Sequence, residues 1–337
     1  MRNVESLETR RLFASFTAAS VAELVADINA ANAAGGANTI TLAPATVFNL
    51  TSAVNDFALE PTGLPVVASG NSLTVVGNGG AIQRSTATGT PAFRLLAVAV
   101  GGSLTLNDMT LSNGVATPSA TVGSSGEGGA VNNQGTLRLA GVTVKNCVAR
   151  GSSGIAYPGL GGGIYSWGTL AIADSAIVNN QALGGDAYAD GYHSMSGNTG
   201  LGGAVCVGAG TAVLTNTTVT SNVARGGDGA DGYTLRGVGK FPPGNGGDAI
   251  GGGIYASSSA AVTLRGNAVT GNAATGGKGG KSQGGNLPRG ANGAGKGGGI
   301  YIAPTASVGL DAFTLANTKS NSASTSDNDI FGSYSIL

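Results

Sequence analysis

Apolar residues recur along this chain in short runs that alternate with polar ones, and the alternation has a period of two. Ser103-Leu104-Thr105-Leu106, Thr136-Leu137-Arg138-Leu139 and Ala261-Val262-Thr263-Leu264 each turn every second side chain to one face. That is the pattern of a β-strand with one buried face. Similar runs lie at 169–172, 212–214 and 307–310. A further run follows each within a few residues, at 109–111, 142–144, 176–178, 218–220, 268–270 and 313–315. From 136 on, each pair is announced by a glycine motif: GGAVN at 128–132, GGGIY at 161–165, GGAVC at 202–206, and GGGIY again at 251–255 and 297–301. Three strand runs per repeat predict a solenoid whose coils stack strand on strand.

The first glycines of the motif stand at 128, 161, 202, 251 and 297, so the repeats are 33, 41, 49 and 46 residues long. A coil of three short strands needs about 20 to 30 residues. The surplus falls in glycine-rich stretches at 151–160, 184–201, 226–250 and 276–296, always after the third run and before the next GG. Loops inserted at one junction of a solenoid emerge along one edge. Gly128, Gly161, Gly202, Gly251 and Gly297, with Gly129, Gly162, Gly203, Gly252 and Gly298 behind them, are expected to turn the corner into the first strand. In the predicted stack, Ile164, Ile254 and Ile300 form one inward ladder.

Ahead of the repeats the period changes to that of a helix. Val21, Leu24, Val25 and Ile28 recur at helical spacing, Ser20 and Glu23 fit a capping box, and Gly35-Gly36 stops the run. A helix over residues 20–34 is predicted to cover the open end of the first coil, where bare strand edges invite aggregation. Irregular coils follow, with strands at 38–42, 47–50, 72–76, 81–84 and 92–98 and a loop at 55–70. The organisation expected is therefore a tail at 1–19 and one β-helix domain at 20–337, with coils at 38–331.

The pairing of GG[AG][IV] with V-x-x-N, at Ile177/Asn180, Val219/Asn222 and Val269/Asn272, resembles the passenger repeats of bacterial polymorphic outer-membrane proteins. It is similar, more widely, to the pectin-lyase-like fold group. The resemblance implies a right-handed parallel β-helix, an all-β single-stranded solenoid with a capping helix and glycine-rich lateral loops. It also implies an asparagine ladder at Asn180, Asn222 and Asn272, imperfect at the coil where Cys147 takes the slot and Asn146 comes one residue early. The likeness does not extend to the family's C-terminal membrane barrel or to a sorting anchor. Residues 6–15 are similar to a short segment near the start of large secreted planctomycete-type proteins, which implies an address at the cell surface or beyond.

Composition removes some functions and adds few. Lys and Arg number 17, as do Asp and Glu, so no charge excess favours nucleic acid or an anionic membrane. No run reaches the roughly 18 to 20 apolar residues of a membrane helix. Cys147 and Cys206 lie in apolar runs and read as small buried hydrophobes, with a disulfide as the alternative. Carboxylates are scattered rather than paired, and Asp327-Asn328-Asp329 reads as structural capping. The single histidine, His193, reads as a loop residue. Residues 226–234 fit one copy of a Ca²⁺-binding nonapeptide through Asp228 and Asp231, but such sites need tandem copies. Gly279-Gly280-Lys281-Ser282 lacks the strand and spacing of a phosphate loop.

The function expected is non-enzymatic: an extracellular or cell-surface β-helix used for adhesion, as a coat or as a scaffold, without a cofactor. Its partner would be a surface glycan, a protein or a second copy. A carbohydrate-active lyase or hydrolase is the alternative. The lateral loops are expected to make one shelf with Tyr157, Tyr188, Tyr192, Tyr233 and Phe241 as contact residues, and to be dispensable for stability.

Overall fold

The computed structural model describes residues 14–118, 123–154, 157–188, 195–235, 239–283 and 287–337. Among them the protein is dominated by long parallel sheets, with two helices. The longest, sheet I, starts at Ala14–Ala18 and Gly36–Leu42 and runs on through Asn71–Arg84, Ser103–Ser112 and Thr136–Lys145. From there each coil contributes two short strands, such as Thr169–Ala173 with Ala176–Val178, and Ala260–Arg265 with Ala268–Thr270. Sheet II holds the strands that follow the five GG motifs, Val131–Asn133, Ile164–Ser166, Val205–Val207, Ile254–Ala256 and Ile300–Ile302, with Leu96–Val98 before them and Ile330–Phe331 after. Sheet III follows sheet I and includes Val148–Arg150, Gln181–Leu183, Val223–Arg225 and Ala273–Thr275. Sheet IV consists of two-residue strands just before each GG, among them Gly126–Glu127, Gly159–Leu160 and Gly200–Leu201. The chain visits IV, II, I and III in that order, and each strand pairs in parallel with its counterpart one coil away.

Register makes the core. Leu137, Leu170, Ala212, Val262 and Val308 align across sheet I, as do Leu139, Ile172, Leu214, Leu264 and Leu310 two residues on. In sheet II the inward column is Val131, Ile164, Val205, Ile254 and Ile300, all buried, as the sequence predicts for its isoleucines. Burying each such side chain contributes about 1.5–3 kcal/mol, and no ladder rung lacks an apolar neighbour above or below.

The second and third runs read from the sequence are not two sides of the solenoid. They lie in one sheet that bends between them, and sheet III supplies a further face. The bend is a column of left-handed residues, Asp108, Gly141, Asp174, Asn216 and Gly266, with φ between 49° and 66°. Asn, Asp and Gly tolerate that conformation best. A second such column, containing Asn113, Asn146, Asn179 and Ser221, turns the chain into sheet III. Asn146 is thus a corner residue, and that is why Cys147 holds the inward slot.

At that slot the asparagine ladder forms. Asn180 Nδ2 donates to Asn222 Oδ1 (3.0 Å), Asn222 Nδ2 to Asn272 Oδ1 (2.9 Å), and Asn272 Nδ2 to Asn321 Oδ1 (2.9 Å). Each amide also accepts the backbone N–H of the residue one coil back, as Asn180 Oδ1 does from Cys147 (3.0 Å). Cys147 and Cys206 are buried free thiols rather than a disulfide, the thiol of Cys147 pushed up to about 12 by burial.

Helix α1 (Val21–Ala34) has the expected capping box: Ser20 Oγ accepts from the Glu23 amide (3.3 Å), and Glu23 Oε2 accepts from that of Ser20 (3.2 Å). Leu24, Ile28 and Ala31 face the core. Ala14–Ala18 precedes the helix and pairs in parallel with Gly36–Leu42, so these residues belong to the first coil rather than to a tail. Residues 1–13, with most of the segment read for export, lie outside the described residues. Two other expectations change. Residues 55–70 contain a small antiparallel hairpin, Asn55–Phe57 with Glu60–Thr62. The run Phe313-Thr314-Leu315 is not a strand but part of helix α2 (Ala312–Ala316), because Asp311 Oδ1 caps the Thr314 amide (2.8 Å).

Candidate functional site

The glycine-rich insertions do stack along one edge, but they are not loose loops. In the last three, the described residues form an outward and a return arm whose amide directions repeat every third residue. Gly226, Gly229 and Gly232 donate to the carbonyls of Thr275, Lys278 and Lys281 in the next coil. Gly227 and Ala230 donate to Asn198 and Met195 in the return arm of the coil before. In the next coil Gly277 and Gly280 donate to Gly247 and Gly244, which themselves donate to Gly227 and Ala230 of their own outward arm. Three residues per turn with no hydrogen bond inside the segment is the backbone of a polyproline II helix. The arms form a slab bonded main chain to main chain.

Glycine is required there by proximity. A Cβ on Gly227 would sit 1.9 Å from the Gly185 carbonyl oxygen, and one on Gly277 1.9 Å from that of Gly227. Side-chain oxygens at every third position fasten the remaining amides: Asp186 Oδ1 accepts from Asp228 N (2.8 Å), Asp228 Oδ1 from Lys278 N (2.9 Å), and Asp231 Oδ1 from Lys281 N (2.7 Å). On the return side Asn245 and Asp248 do the same for Ala291 and Ala294. The carboxylates of the nonapeptide match are thus spent on backbone, and Asp228 also pairs with Arg225 (2.8 Å). The Lys281 amide and Gln283 hold Asp231 below the usual carboxylate range.

Of the expected contact residues, Tyr188 and Tyr233 meet at a groove of about 550 Å³ with Asp186, Asp228, Asp231 and Gln283. Tyr188 is 62% exposed. Phe241 stacks on Tyr233, centroids 4.8 Å apart, across the hairpin Tyr233–Leu235 and Gly239–Phe241. Neither Phe241 nor Tyr157 lines the groove; Tyr157 packs instead beside Gly123 and gives its carbonyl to the Gly185 amide (2.8 Å). Tyr192 and His193 lie outside the described residues. Asp329 and Asn328 accept from the amides of Asn321 (3.1 Å) and Ala323 (2.8 Å) and so close the last coil, as the capping expectation has it.

A second site lies on sheet II, and no local motif announces it. One strand position there carries Tyr165, Cys206, Tyr255, Tyr301 and Phe331 in register. The last three rings stack on one another at 5.6 and 4.7 Å, so they show edges rather than faces to solvent. Just past the strands, Gln134, Trp167 and Gly208 occupy equivalent places in three coils, each amide bonded to the sheet II carbonyl one coil back. Trp167 is 55% exposed, and its Nε1 donates to Tyr165 Oη. A Cβ at Gly208 would lie 2.5 Å from that nitrogen. The missing side chain leaves that space to the indole.

Trp167, Tyr165, Gln134, Val100 and Glu127 line a cavity of about 360 Å³. Glu127 is anchored from behind. Its Oε2 accepts from Asn132 Nδ2 (2.9 Å) and its amide donates to Glu60 Oε1 (3.1 Å). Glu60 is in turn ion-paired with Arg94, both fully buried. Burial raises the Glu127 carboxyl above its ordinary range, against the opposing pull of Arg94 and Asn132. Burial also lowers the Arg94 guanidinium to about 9, which leaves it charged at neutral pH. The one signal in the sequence for this site is its only tryptophan, placed two residues after a GGGIY motif. Compared with known proteins, the chain matches no family model and no curated sequence.

Proposed function

We propose that the protein is a non-enzymatic scaffold and adhesion module working outside the cell or at its surface, its coils wound as a right-handed parallel β-helix. The handedness follows from the strong bias of parallel crossover connections. The extracellular address follows from the likeness of residues 6–15 to an export-linked segment. The observation that carries the functional reading is the slab: three successive insertions are bonded main chain to main chain and cross-fastened by Asp186, Asp228 and Asp231. A lid or a substrate-closing loop needs freedom to move; a surface held coil by coil is suited to present fixed contacts. The enzyme alternative rests on Glu127. A glycosidase works with two carboxylates across a cleft, and the carboxylate next to Glu127 is Glu60, committed to Arg94.

Two measurements test this. Purified protein incubated with pectin, alginate and neutral glycans, with Ca²⁺ present, should release neither reducing ends nor unsaturated products; either product sinks the non-enzymatic reading. Labelled protein should also sediment with cell envelopes, and binding indistinguishable from a size-matched control protein would remove adhesion.

A further inference from the structure

The cavity beside Trp167 is built for a ligand in a way the stacked rings farther along sheet II are not. Tyr255, Tyr301 and Phe331 face each other and keep their π-faces occupied. Trp167 is half exposed, and its indole is fixed by Tyr165 Oη and by the space over Gly208. A half-exposed, anchored indole with an anchored carboxylate and an amide beside it is a specific combination. The ring's negative face attracts weakly positive C–H groups. The carboxylate accepts from hydroxyls, with the stronger bonds of a charged acceptor, and the Gln134 amide both donates and accepts.

A pyranose presents those features together: one face of C–H bonds and a rim of hydroxyls. At about 360 Å³ the cavity lies at the small end of the ~300–1,000 Å³ range of ligand sites, which suits one or two sugar rings. Among the described residues its lining includes one anion and no cation, so a neutral sugar fits and a uronate does not. An ammonium ligand would also be drawn to Glu127, but cages for such cations enclose the charge with several ring faces, and here Tyr165 turns its hydroxyl to Trp167.

We infer that Trp167, Glu127 and Gln134 form a binding subsite for a neutral pyranose of a surface glycan. This deepens the adhesion reading by naming its ligand class and rests on it only for the source of the glycan.

Trp167 is the only tryptophan, so intrinsic fluorescence reports from the site itself. Titrating the intact protein with cello-, xylo- and manno-oligosaccharides should give a saturable shift in emission with at least one series. Calorimetry on Trp167→Ala and Glu127→Gln should show binding weakened by about tenfold or more. Gly208→Ala, which moves the indole, should alter both the resting emission and the affinity while the far-ultraviolet dichroism stays that of the parent. The inference is overturned if no series gives a saturable change, if choline alone does, or if oligogalacturonate binds as tightly as the neutral sugars. Failure of the scaffold reading looks different: products released from a bound glycan would overturn the non-enzymatic function and leave the subsite standing, whereas envelope binding with silent fluorescence would do the reverse.

Discussion

The coil stack and the glycine slab solve one problem, how to hold successive coils together, in opposite ways. In the stack, apolar side chains align into ladders and asparagine amides bridge the corner into sheet III, so the information lies in side chains. In the slab, backbone groups bond to backbone groups and the side chain is mostly dispensed with. The slab has almost no apolar core: Ala187, Ala230 and Met195 make one small cluster among the arms. Its order therefore depends on the arms being brought into register by the stack beneath. Stability should be inherited in one direction, from ladder to slab.

That asymmetry can be broken at the top. Ile254→Asp puts an unpaired carboxylate into the sheet II ladder and should cost several kcal/mol, of the order of the whole stability of many domains. Both bodies should unfold together in urea; a parental midpoint would mean Ile254 is not a ladder residue. Asn222→Leu removes the acceptor used by Asn180 Nδ2 and by the Asn180 amide. Stranded buried donors cost about 1–3 kcal/mol each, and the loss should again appear in the global transition. A transition that stays in place would show that water replaces the ladder.

The slab is addressed by Gly277→Ala. Its Cβ would meet the Gly227 carbonyl at 1.9 Å, and overpacking of this kind costs about 1–3 kcal/mol. Hydrogen exchange should accelerate at Gly280 and Gly293 while Ile254 and Val205 keep their protection. Equal protection at all four amides would mean that the arms do not depend on one another. The smallest effect is one of pH. Asp231 titrates below its ordinary value because its charged form accepts from the Lys281 amide and Gln283. A depressed carboxyl contributes stability above its unfolded value, about 3.9, and loses it as the pH falls through the folded value. Protection of the Lys281 amide, corrected for intrinsic exchange, should therefore drop only below about pH 4, and Asp231→Asn should flatten that drop.

The parts legible in the sequence are those whose chemistry recurs once per coil. The GGGIY corners, the isoleucine ladder, the V-x-x-N amides and the Ser20–Glu23 box each announce themselves locally. Where one residue decides between elements, pattern misleads: Asp311 caps a helix turn and so removes Phe313-Thr314-Leu315 from the strands. The bend in sheet I was hidden because Asp174 and Asn216 look like ordinary turn residues until their φ values align across coils. Glycine at 226, 229 and 232, then at 276 and 279, does carry the slab's three-residue period, but a composition so rich in glycine reads equally as loop. Of the Trp167 cavity only the lone tryptophan after a GGGIY motif shows in the sequence. Its lining comes from separate coils, and only the register brings Gln134, Trp167 and Gly208 into one column.

The three-residue repeat of the arms imposes a counting rule on how they can change length. Adding one residue to an arm turns every later amide by a third of a revolution, so all contacts beyond the insertion point away from their acceptors. Adding three restores the orientation and lengthens the arm by about 9 Å. The return arm must then grow by the same amount, because Gly244 and Gly247 answer to Ala230 and Gly227 of the outward one. Viable insertions in this part of the chain come as paired triplets, in a region whose composition alone looks tolerant of any length.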